Sequence, residues 1–162
     1  MLIASCSEFV KPPGRTGDDE MSETADLVRE IIQAVDGLHV LATVDAEGRP
    51  RMRWIGALLE DPQEPWIFYL VSGVDSGKMR EIAQNPNAQL LFCQMDPWRV
   101  ASLSGVAEAV DTPELRQLLW DSIPAMETYF TGAEDRAMGI IRFTSKCAEV
   151  QTANAEPHCF DL

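Results

Sequence analysis

Between residues 38 and 71 three short apolar runs follow one another across turn chemistry, each too short and too β-branched for a helix. The first, 38–44, leads through Asp45, Ala46, Glu47 and Gly48 into an extended run over 49–59. That is a hairpin pattern. Asp61, Pro62 and Pro65 then break the chain before a strongly apolar run at 66–71. Connections this short leave room only for antiparallel neighbours, because a parallel pair needs a long crossover.

The rest of the chain has to complete or cover that sheet. Upstream, Leu27, Val28, Ile31, Ile32 and Val35 recur at three- and four-residue spacing from Glu23 onward, with Gly37 at the expected C-cap. Downstream come a small-residue loop over 72–77 and a short helix over 78–84, stopped by Asn85 and Pro86. Strands are expected at 89–94, 100–110, 138–144 and 148–152. A helix starts at Asp111, Thr112, Pro113 and Glu114, with Leu115, Leu118 and Leu119 as its apolar stripe. The fold class is therefore α+β, a barrel of about six or seven mostly antiparallel strands with flanking helices.

With 162 residues the chain suits one domain. Residues 1–20, rich in Pro, Gly and charge, read as a flexible N-terminal arm; 21–155 form the domain and 156–162 a C-terminal tail. The formal net charge of −13 argues against a nucleic-acid partner, whose phosphates need a basic face. No stretch approaches the roughly 20 apolar residues of a membrane span. Met1 to Cys6 has the outline of a lipoprotein cleavage box but lacks its charged and apolar preludes, so a cytoplasmic location is expected. Cys6, Cys93, Cys147 and Cys159 form no C-x-x-C pair, and His39 and His158 lie far apart, so no zinc spacing exists. Cys93, inside an apolar run, reads as a small buried hydrophobe, and His39 as a structural histidine.

Two segments carry possible chemistry. Arg51 and Arg53 alternate with Met52 on one strand and so share a face. Alone, they read as solvated arginines on an edge strand. Ser72, Gly73, Val74, Asp75, Ser76, Gly77 and Lys78 lead from a buried strand into a helix. Asp75 or Ser76 can cap that helix, and its free N–H groups, the serine hydroxyls and the Lys78 ammonium could together hold a phosphate. Alone, this is an ordinary loop with a cap. It is not a P-loop, since no Ser or Thr follows Lys78. Trp98, Trp120, Tyr129 and Phe130 read mainly as packing aromatics.

Taken in order, these segments resemble a known family. Gly48-Arg-Pro50 leading to Arg53, then Asp75-Ser-Gly-Lys78, Ile82-Ala-Gln-Asn-Pro86 and Leu103-Ser-Gly-Val-Ala-Glu108 are similar to the flavin-binding split barrels related to pyridoxamine 5′-phosphate oxidase. The segment from Leu119 to Asp135 resembles their general-stress-protein branch. The resemblance covers about residues 25–152 and implies a six- to seven-stranded split β-barrel that binds flavin mononucleotide (FMN). By that resemblance Arg53, Ser76 and Lys78 hold the phosphate. Main chain at Trp54, Ile55 and Gly56 edges the flavin ring, and Val71 and Ser72 approach it. It also implies a homodimer with the flavin at its interface, and a small-molecule substrate or electron donor.

The departures matter equally. Gly77 stands where the family often has arginine, so a phosphate contact is either lost or supplied from elsewhere, for instance by Arg51. The flavin-bonding glutamine of the oxidases aligns near Val100, and no arginine follows Arg142 to grip a pyridoxal substrate. The expectation is thus a flavin-binding relative rather than a pyridoxamine-phosphate oxidase. A flavin-dependent oxidoreductase and a non-catalytic, redox-buffering flavoprotein both stay open, with haem or a deazaflavin as remoter ligands.

Overall fold

The computed structural model describes residues 17–35, 39–153 and 155–162. The order is α1 (Gly17–Ala34), β1 (His39–Val44), β2 (Pro50–Ile55), β3 (Leu58–Glu60), β4 (Ile67–Gly73), α2 (Gly77–Gln84), β5 (Asn87–Met95) and β6 (Trp98–Val110). Then follow α3 (Pro113–Ser122), a 3₁₀ turn (Pro124–Thr128), β7 (Met138–Thr152) and β8 (Ala155–Asp161).

The strands make one antiparallel sheet in the order β2-β1-β5-β6-β7-β4-β3, with β8 added to β7. The two long strands, β6 of 13 residues and β7 of 15, form its spine. β6 runs along one edge of β7. Along the other edge β4 takes residues 138–144 and β8 takes residues 147–152. The sheet curls where the β6–β7 register shifts at Ser104 and Gly105 and skips Lys146. This is the α+β split barrel.

Period-two alternation then decides which face each residue joins. Leu41, Phe68, Leu70, Leu90, Phe92, Leu103, Ile141 and Phe143 fill the barrel, and α1 closes it with Val28 and Ile31, both fully buried. Each such side chain contributes about 1.5–3 kcal/mol of hydrophobic burial. The intervening residues of β4 and β7, Val71, Met138 and Ile140, form a second cluster outside the barrel with Leu119, Ile123 and Met126. Thr112 caps α3 by accepting from the Leu115 N–H at 3.2 Å, with Pro113 in the first turn. Arg116 of α3 donates to the Met138 carbonyl at 2.9 Å and so ties the helix to β7.

Several expectations change. α1 begins at Gly17, so residues 17–20 are helical rather than part of an arm; residues 1–16 and the Gly37 cap lie outside the described residues. The extended run 49–59 divides into β2 and β3, because Gly56 and Ala57 turn the chain from β1 toward β4. The runs 138–144 and 148–152 are one strand, since the bulge absorbs Lys146 without ending the ladder. The segment read as a tail, 156–162, falls largely within β8, which pairs with β7. Cys93 is exposed: Ala88, Leu90 and Phe92 take the inward face of β5 and leave the odd positions outside.

Candidate functional site

The loop from β4 to α2 is a tight turn in which the Ser76 N–H donates to the Gly73 carbonyl at 3.0 Å. It returns Ser76 to Ser72, whose hydroxyl oxygens lie 2.9 Å apart. Lys78, in the first turn of α2, donates from Nζ to Ser72 Oγ at 2.8 Å. Ser76 occupies the N-cap position, yet its side chain makes no capping hydrogen bond. The opening N–H groups of α2 have no intrahelical acceptor. Hydroxyls, ammonium and helix N-terminus therefore converge on one spot.

Arg53 approaches from β2. Its register partner on β1 is Leu41, so it sits on the inward face, as Arg51 does opposite Thr43. Its guanidinium donates to Thr43 Oγ1, and through Nη2 to Glu81 Oε2 at 2.5 Å. Thr43 completes the ring by donating to the same carboxylate oxygen at 2.5 Å. Glu81 lies on α2, one turn after Lys78.

The electrostatics follow from this geometry. Burial is the largest influence on Lys78 and lowers its pKa, and the Arg53 charge lowers it further, while Glu81 pulls the other way. For Glu81, burial acts to raise the pKa, but hydrogen bonds from Thr43 and Arg53 and the positive charges of Arg53 and Arg51 hold it below the usual carboxylate range.

The remaining expected residues gather nearby in a different way. Ile55 is 4% exposed and points into the barrel, while Trp54 is 64% exposed on the opposite face. Neither they nor Gly56 offers a side chain to the Lys78 cluster. Their main chain is what is near: the Val71 N–H donates to the Ala57 carbonyl at 3.1 Å, so the end of β2 meets the end of β4. Within the described sheet β2 pairs only with β1, leaving its outer edge with backbone donors and acceptors to offer.

Sequence reasoning missed Thr43 and Glu81. The signals were present: Thr43 alternates with Leu41 on the inward face of β1, and Glu81 stands three residues after Lys78 on a helix. Gly77 is not required by space, since a Cβ there would meet only Glu81 Oε1 at 3.6 Å and Arg80 Nη2 at 4.0 Å. The guanidinium closest to that position belongs to Arg80, which folds back to the Asp75 carbonyl at 2.5 Å, whereas Arg51 is exposed on β2.

Known proteins resemble this chain in sequence and in fold. A curated pyridoxine/pyridoxamine 5′-phosphate oxidase from Microcystis aeruginosa is 36% identical over 74 residues, 46% of this chain and 33% of its own length. The chain thus matches about a third of that relative. General Stress Protein 26 from Bacillus anthracis superposes with a TM-score of 0.67 at 18% identity, covering 84% of this chain and 98% of its own. A heme binding protein from Mycobacterium smegmatis superposes with a TM-score of 0.69 at 19% identity, covering 94% of this chain and 60% of its own. At such identities the two structures speak for the fold alone. The family model described as pyridoxamine 5′-phosphate oxidase matches residues 25–151, a span from α1 to the end of β7 that takes in both the barrel and the Ser72–Ser76–Lys78 turn, and the chain belongs to that family.

Proposed function

We propose that the protein binds FMN and works as a flavin-dependent oxidoreductase on a small substrate. The observation that carries this reading is the junction of Lys78, Ser72 and Ser76 at an uncapped helix N-terminus, with Arg53 beside it. A phosphate monoester suits such a place: it takes an ammonium, hydroxyl donors and backbone N–H groups together. Ser76 and Lys78 would hold the phosphate, with Ser72 orienting both and Arg53 adding charge. Main chain at Trp54, Ile55 and Gly56 and at Val71 would border the ring. When bound, the flavin supplies hydride or electron transfer, and the chain supplies position and charge.

The reading includes a homodimer. Met52 and Trp54 on β2, and Met95 and Trp98 at the β5–β6 turn, share one face of the sheet through the registers Val40–Trp54, Val40–Leu91 and Met95–Trp98. They are 68%, 64%, 75% and 40% exposed. A second copy on this face would bury them and stand over the β2 edge. No helix among the described residues is long and apolar enough to cross a membrane.

Titration of desalted protein with FMN, with riboflavin as the control lacking phosphate, tests the reading. Saturable binding at one FMN per chain, much tighter than riboflavin, supports it. Failure to bind FMN, or equal affinity for both, overturns it. Reduction of the bound flavin by a nicotinamide donor with turnover separates the oxidoreductase from a redox-buffering flavoprotein. The haem-binding neighbour gives the alternative ligand, and a Soret band on adding haemin in place of flavin binding would favour it.

A further inference from the structure

The cradle contains a negative charge of its own. Glu81 Oε2 takes hydrogen bonds from Arg53 Nη2 and Thr43 Oγ1, both at 2.5 Å, and the side chains of Arg53 and Glu81 are only 22% and 14% exposed. Water therefore screens the pair poorly, and the carboxylate cancels much of the Arg53 charge as felt at Lys78. Lys78 responds to Arg53 and Glu81 in opposite senses, which places all three within one electrostatic neighbourhood.

We infer that Glu81 is a resident counter-ion for Arg53, competing with the ligand's phosphate and setting how strongly the site prefers phosphorylated over unphosphorylated ligand. This rests on the proposed phosphate reading. Without ligand, Glu81 and Thr43 satisfy a guanidinium that would otherwise be left half-buried and unpaired. With ligand, a phosphate dianion must share Arg53 with a fixed carboxylate or displace it. Lys78, Ser72 and Ser76 make the first capture, and Arg53 adds less than an unencumbered arginine would. Gly77 adds no side chain that could compensate.

The experiment compares FMN and riboflavin binding to desalted wild type, Glu81→Gln and Glu81→Ala. Each variant is first shown to melt cooperatively. Removing the carboxylate should tighten FMN by about tenfold, as expected for unmasking one charge-assisted contact, and leave riboflavin within about twofold. Unchanged or weaker FMN binding in both cooperatively melting variants would overturn the inference and make Glu81 a support for Arg53 instead. Tightening of both ligands alike would also overturn it, because the effect would not pass through the phosphate. Failure of the underlying reading looks different: wild type would not distinguish FMN from riboflavin, and Lys78→Ala would change nothing.

Discussion

Gly105 on β6 lies against the Thr144 backbone of β7 so closely that a Cβ at Gly105 would stand 2.1 Å from the Thr144 carbonyl oxygen. The neighbour is main chain and cannot rotate aside. The register shift occurs at this same point, so the close approach and the bend of the sheet are one feature. Gly105→Ala should therefore cost about 1–3 kcal/mol or more through overpacking, seen as a lower midpoint in urea. Gly132→Ala is the control, since nothing lies within 4 Å of a Cβ there.

Lys78→Ala and Arg53→Ala should both weaken FMN binding, but unequally. Among the described residues Lys78 bonds only the Ser72 hydroxyl, so its loss removes a charge available to the ligand and should cost about 1.5–3 kcal/mol. Arg53 is already shared with Glu81, so its loss should cost FMN binding less. Calorimetric titration of the two variants checks the order, and the reverse order would contradict the assigned roles.

Acid stability should report the Arg53–Glu81 pair. Glu81 has its folded-state pKa lowered below the ordinary 4.5, so its contribution is present above about pH 4.5 and is lost as pH falls through the folded value. Wild type should exceed Glu81→Gln in stability by about 1–2 kcal/mol at neutral pH, and the two should converge in acid. Chemical denaturation at several pH values measures this. A gap that stays constant below pH 4 would show that the pair is not its source.

Trp54→Glu should give a monomer and lose flavin affinity together, because the proposed partner covers the face that borders the β2 edge. Light scattering and FMN titration on the same sample test the linkage. A monomer that keeps wild-type FMN affinity would separate the cofactor site from the interface.

Much of the barrel could be read from short apolar runs separated by turn chemistry. Such runs gave the strands at 38–44 and 66–71 but not their inward faces, while the α1 stripe of Val28 and Ile31 carries a period-3.6 signal strong enough to place it. Boundaries were harder, because β8 (Ala155–Asp161) contains Pro157 and no strict alternation, and only pairing with β7 makes it a strand. In the site, Ser72, Ser76 and Lys78 are close in sequence, so local turn chemistry brings them together. Thr43 and Glu81 meet Arg53 only because α2 packs against β1. Contacts between residues 38 apart depend on tertiary packing, which no local pattern encodes.

β4 has consequences for how such a protein can change. Its even residues, Phe68 and Leu70, face the barrel and lead to Ser72, while Tyr69 and Val71 lie under α3 and the 3₁₀ turn. Val71 and Ser72 are neighbours on one backbone, about 3.3 Å apart along the strand. A substitution that reshapes the helical cap leans on Val71, and the displacement passes along the backbone to Ser72, in the proposed phosphate seat. The packing of the cap and the shape of that proposed seat are thus inherited together, and one can alter only within the tolerance of the other.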